Sequence, residues 1–74
     1  MTPRLPAISA AKLLKILRSH GFEVTRQSGS HVVLRHPAGR RVTVPVHRSR
    51  DLGRGLLRRI MKDAELSRKD IVGR

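Results

Sequence analysis

A chain of 74 residues has room for one domain with a modest core, near the lower limit for folding without staples. With no cysteine, disulfides and thiolate metal sites are excluded, and no stretch approaches the roughly 18 to 20 apolar residues needed to span a bilayer. Seventeen Lys and Arg against five Asp and Glu give a net charge of +12, which calls for a polyanionic partner, while the single aromatic residue, Phe22, excludes recognition by stacking successive bases on rings.

The expected organisation is a single domain over residues 1–74, with residues 1–7 as an N-terminal arm. The arm carries Pro3 and Pro6 and lacks the apolar run of a secretory leader, so a cytoplasmic location is expected. Basic residues run through every segment instead of clustering beside an apolar wedge, which argues against a membrane surface, and a merely solubilising charge excess would mix both signs. Nucleic acid and an acidic protein remain as partners.

Ser9 is placed to cap a helix of about Ala10 to His20, in which Ala10, Leu13, Leu14 and Leu17 recur at helical spacing and Gly21 supplies the stop. Ile8 can staple onto Leu13. The opposite face carries Lys12, Lys15 and Arg18, a basic stripe led by Lys12 that would attract a polyanion. From Phe22 the period drops to two: Phe22 and Val24, Val32 and Leu34, Val42 and Val44 predict three strands, broken at Ser28-Gly29-Ser30 and Pro37-Ala38-Gly39.

Residues directly opposite in an antiparallel pair share a face, so parity tests the register. A two-residue Ser28-Gly29 loop divides the apolar residues between both faces. Three-residue loops at both breaks pair Val24 with Leu34, Phe22 with His36, Leu34 with Val42 and Val32 with Val44, giving one apolar face, and this is the expected register. It puts Gln27 across from His31 and Arg35 across from Arg41 on the reverse face, with Glu23, Thr25, Val33 and Thr43. Two facing arginines repel mildly; they either splay into water or share an anion.

Beyond Pro45, a polar loop with His47, Arg48, Ser49 and Arg50 leads to a second helix of about Gly53 to Glu65. Leu52, Leu56, Leu57, Ile60, Met61 and Ala64 give it an apolar face, and Arg54, Arg58 and Lys62 a second basic stripe. Arg59 and Asp63 are spaced to pair at i, i+4. Ser67 and Asp70 resemble a capping box opening a last short turn. The fold class is therefore α+β, with the order αβββα and two helices on one face of a three-stranded antiparallel sheet.

A two-metal nuclease site needs converging carboxylates or histidines. Glu23, Asp51, Asp63, Glu65 and Asp70 are the only acids, and the pattern puts none on a shared face with a histidine at ligand spacing, so neither a metal nor another cofactor is expected. No acid is placed to complete a nucleophilic triad beside Ser30. What remains is metal-free RNA cleavage, in which the neighbouring 2′-hydroxyl attacks the phosphate while a histidine moves protons and cations hold charge. His20 sits where a cation favours a helix dipole, and His36 borders a turn. His47 lies among arginines and could touch phosphate or act as a second acid. His31 projects from the open sheet face just after a glycine loop, with Arg35 and Arg41 farther along; position alone leaves it either a proton-transfer group or an ordinary surface histidine.

The helix, three strands and helix, with Gly21-Phe22 opening strand one, Gly29-Ser30-His31 opening strand two, His36-Pro37-Ala38-Gly39-Arg40 in the turn and Val42-Thr43-Val44-Pro45 with His47 after it, resemble the HicA (YcfA-like) toxins. Leu52, Gly55, Leu57, Ile60 and Leu66-Ser67 extend the resemblance over about Ile8 to Ile71. Ser28, before the glycine, and Val32, after the histidine, depart from residues common in the family. The resemblance implies a double-stranded-RNA-binding-like fold, cleavage of mRNA that arrests translation, a HicB-type antitoxin covering the active site, and catalysis by the histidine of the Gly-Ser-His motif, His31. Association with the ribosome is left open. On this reading His31 is the acid or base, Gly29, Ser30, Arg35, Arg41, Lys12 and Arg58 bind RNA, and no metal takes part. Two rivals share the charge pattern: a non-catalytic double-stranded-RNA-binding module, and a basic accessory protein whose partner is an acidic protein.

Overall fold

The computed structural model describes residues 7–46 and 51–72, in the order α1 (Ala10–Ser19), β1 (Glu23–Ser28), β2 (His31–Arg35), β3 (Arg41–Pro45), α2 (Arg54–Ala64) and α3 (Arg68–Val72). The Ser9 hydroxyl accepts the Lys12 N–H at 3.1 Å and so satisfies a donor that helix geometry leaves orphaned. At the other end, the N–H groups of Gly21 and Phe22 return to the carbonyls of Arg18 and Leu17. Gly21 makes that reversal possible with a φ of +94°, a region that side chains rarely enter.

The sheet is antiparallel with order β1-β2-β3. Val24 pairs with Leu34, Leu34 with Val42, Val32 with Val44 and Arg35 with Arg41, as parity predicts. The three-residue loop expected at Ser28 to Ser30 is not what joins β1 to β2. Ser28 pairs with His31, so the turn has only Gly29 and Ser30, with Gly29 first at a φ of +56°, the arrangement favoured in tight hairpins. The shorter turn shifts the pairing by one residue, and a bulge at Thr25, between Val24 and Arg26, absorbs the shift. Gln27 therefore pairs with Val32 instead of His31, and Arg26 takes the place opposite Val33. The second hairpin closes with the His36 N–H bonded to the Arg40 carbonyl at 2.8 Å.

Val32, Leu34, Val42 and Val44 turn one face of the sheet into the core, where Leu13 and Leu17 of α1 and Leu57 and Ile60 of α2 cover it. Phe22, 2% exposed, and Ile71 of α3 complete the cluster. Val24 shares the register of Leu34 but stays 47% exposed, because it stands on an edge strand whose six residues all remain open to solvent. The expectation that it joins the core is thereby corrected.

The Leu52 N–H donates to the Ile8 carbonyl at 2.8 Å, and Ser9 forms a bridge with Asp51, so the approach to α2 is tied to the approach to α1. Glu65, in the left-handed conformation, ends α2. Ser67 and Asp70 form the expected box: the Asp70 carboxylate accepts from the Ser67 N–H at 2.8 Å and from its hydroxyl at 3.1 Å. Among the described residues, no helix is long and apolar enough to cross a membrane.

Candidate functional site

Alternation along β2 decides where His31 points. Val32 and Leu34 are buried under the helices, so His31, Val33 and Arg35 face the opposite, helix-free side, and His31 is exposed there. Its backbone is held from both sides. Ser28 pairs with it on β1, Pro45 on β3, and the Val46 N–H donates to the carbonyl of Ser30 just before it. The side chain stands on a fixed base, and a Cβ at Gly29 would meet nothing within 4 Å, so the turn beside it is open to an approaching ligand.

A shallow hollow of about 380 Å³ occupies the open sheet face, lined by Thr25, Arg26, Ser28, Val33, Arg35 and Arg41. The bulge is what brings Arg26 there; without it Arg26 would point to the helix side. Parity alone missed this third arginine. Its signal lay in the conflict between a short glycine turn and the apolar pattern, which one extra residue in the strand resolves as well as a longer loop does.

A second groove, of about 390 Å³, runs between the β3 side of that face and α2, and His31, Arg41, Arg59 and Asp63 all line it. The geometry of α2 explains which of its residues reach the groove. Leu57, Ile60, Met61 and Ala64 are buried, and at about 100° per residue Leu56, Arg59 and Asp63 fall on one flank while Arg54, Arg58 and Lys62 fall on the other. The stripe read from the sequence is thus on the flank away from His31, and Arg58 does not line either hollow. Arg59 does.

Asp63 shares this groove with His31, and the ion pair that its i, i+4 spacing to Arg59 offers does not form among the described residues. Among those residues, no group of three or more histidines and carboxylates is arranged to hold a metal ion.

Arg41 lines both the hollow and the groove, whereas Arg35 lines only the hollow. Both lie four strand positions from the His31–Pro45 pair, or about 13 Å along the sheet at ~3.3 Å per residue. At that separation one anion does not reach both His31 and this arginine pair. Lys12 is exposed on the side of α1 turned away from buried Leu13 and Leu17, and so lies on the far surface from the open sheet face.

The other described histidines have structural partners. The His36 Nδ1 accepts the Ala38 N–H at 2.9 Å, and its ring meets Phe22 edge-on at 5.1 Å between centroids. His20 caps α1, with its Nε2 3.7 Å from an Asp70 carboxylate oxygen. The Asp70 carboxyl is held below its ordinary value of 3.8, chiefly by the Ser67 N–H, with the Ser67 hydroxyl and the charges of His20 and Lys69 adding to it. His47, with Arg48 and Arg50, lies outside the described residues.

Comparison with known proteins gives one assignment. The sequence profile described as HicA toxin of bacterial toxin-antitoxin matches residues 10–66, which run from the start of α1 past the end of α2 and take in the whole sheet. No curated protein matches the chain.

Proposed function

Because the chain belongs to the HicA toxin family of bacterial toxin–antitoxin systems, we propose that it is an endoribonuclease that cleaves mRNA without a metal, in the cytoplasm, and is silenced by a HicB-type antitoxin. The 2′-oxygen of the nucleotide before the scissile bond attacks phosphorus, the bond to the 5′-oxygen breaks, and a cyclic phosphate and a free 5′-hydroxyl result. His31 moves one proton in this exchange, taking it from the 2′-hydroxyl or giving it to the leaving oxygen. A positioned histidine contributes about 10² to 10⁴ in rate.

The observation that carries this reading is the exposed His31 on the helix-free side, in one groove with Arg41 and Arg59. Arg35 and Arg41, with Arg26, hold a flanking phosphate, and the open Gly29-Ser30 turn lets the RNA backbone come close. Lys12 and Arg58 raise the attraction for RNA at a distance instead of touching the scissile nucleotide. The antitoxin offers an acidic surface that covers His31 and neutralises part of the +12 charge.

The test is cleavage of an unstructured transcript in the presence of a chelator by the wild-type chain and by His31→Ala. Cleavage by the wild type and its loss in the variant, with RNA binding kept, are expected. Full activity in the variant removes His31 from the chemistry. Salt-sensitive binding by the wild type with no cleavage at any pH leaves a non-catalytic RNA-binding module.

A further inference from the structure

Five acids in a chain of charge +12 work against RNA binding wherever they face the substrate, so each calls for a reason to be where it is. Glu65 pairs with Arg40 at 3.1 Å, and Asp70 caps α3. Asp63 has neither use: like Glu23 and Asp51 it has no side-chain hydrogen-bond or ion-pair partner among the described residues, but of the five acids it alone lines the groove that holds His31. Leu56 is a second oddity on the same flank. Among the described residues it is one of three large apolar ones left exposed, at 37%, and it forms a wall of the groove together with half-buried Pro45.

We propose that this groove is a nucleotide subsite in which Asp63 reads guanine. The inference rests on the ribonuclease reading of His31 and adds to it a base preference at the cleaved position. An unstacked base slides between the Leu56 and Pro45 walls, replacing the aromatic platform that this chain lacks, with its phosphate on the side of His31. The polar edge of the base then meets a carboxylate, which only accepts hydrogen bonds. Guanine alone presents two adjacent donors there, its N1–H and its exocyclic amino group, and both oxygens of one carboxylate can take them. Adenine and cytosine set a ring acceptor beside their amino group, and uracil flanks its single N–H with two carbonyls. Each of these places an acceptor against the negative oxygens.

Two measurements test the subsite separately from catalysis. The wild-type chain, labelled for methyl and amide NMR, is titrated with the 3′-monophosphates of guanosine, adenosine, cytidine and uridine. We expect guanosine monophosphate to bind roughly tenfold or more tightly than uridine monophosphate, the discrimination a bidentate base contact supplies, with the shifts centred on Leu56 and Thr43. Asp63→Asn, which turns one acceptor into a donor, and Asp63→Ala, which removes both, should bring the four nucleotides within about threefold of one another. Equal binding by the wild type, or shifts confined to the opposite flank of α2, overturns the proposal whether or not the chain cuts RNA. In the cleavage assay, the Asp63 variants should lose preference for guanine while still requiring His31. An unchanged cut-site pattern in both variants overturns it, and loss of all wild-type cleavage with nucleotide selectivity intact overturns only the catalytic reading.

Discussion

Gly21 lies against the imidazole of His36: a Cβ built at position 21 would stand 3.0 Å from Nε2 and 3.2 Å from Cδ2. That contact locks the exit of α1 onto the turn between β2 and β3, and it joins the +94° φ in excluding any side chain at this position. Gly21→Ala is expected to destabilise the fold by about 1 to 3 kcal/mol, measured by urea unfolding. His36→Ala introduced into the same chain should return only part of the loss, because it relieves the contact and leaves the backbone conformation strained.

The bulge at Thr25 predicts opposite outcomes for two neighbours. Arg26 faces the open sheet and lines its hollow, while Gln27 pairs with Val32 on the helix side. Arg26→Gln should weaken RNA binding and lower the log–log salt slope by about one unit. Gln27→Glu, although it adds a negative charge, should change affinity less than Arg26→Glu does. Equal effects of the two glutamates would contradict the observed register.

Asp70 gives a pH dependence of defined sign. Its carboxyl titrates lower in the folded chain than the ordinary 3.8, so the folded form holds fewer protons than the unfolded one near that pH. The stability it supplies is fully present above about pH 4 and is lost as pH falls through the lowered folded value. Urea midpoints of the wild type and Asp70→Asn should therefore differ most at neutral pH and converge in acid.

Burial ranks two paired residues that look equivalent in sequence. Leu34→Ala removes a fully buried side chain at the centre of the sheet and should cost about 2 to 5 kcal/mol. Val24→Ala, at the exposed edge opposite it, should cost less than about 1 kcal/mol. Thermal or chemical unfolding of the two variants separates them.

Hydrophobic period was enough to place all three strands, both long helices and the capping box, because each rests on local contacts that neighbouring residues supply. Register between β2 and β3 was legible for the same reason: a single loop length reconciles the valines and leucines of the two strands. The β1 pairing was legible only in part, since a bulge and a longer loop give the same parity at Val24, and the choice between them moves Arg26 and Gln27. Less of the site could be read. His31 could be assigned to the open face by counting along β2, but its neighbours across the groove come from a helix whose rotation about its own axis is set by packing. Spacing alone groups Arg54, Arg58 and Lys62 into a basic stripe, but it does not say which flank meets the sheet, so the place of Arg59 and Asp63 in the groove was not legible.

The division of α2 into two unlike flanks makes its length as consequential as its composition. Inserting or deleting one residue between Gly53 and Leu56 would rotate everything downstream by about 100° relative to the helix start. The buried quartet would drag the helix back into phase, and the strain would fall on the short stretch that Ile8 and Ser9 anchor at Leu52 and Asp51. Single-residue indels there should be purged from functional variants far more strictly than point changes on either flank, so a deep insertion and deletion scan would trace this boundary as a sharp gap.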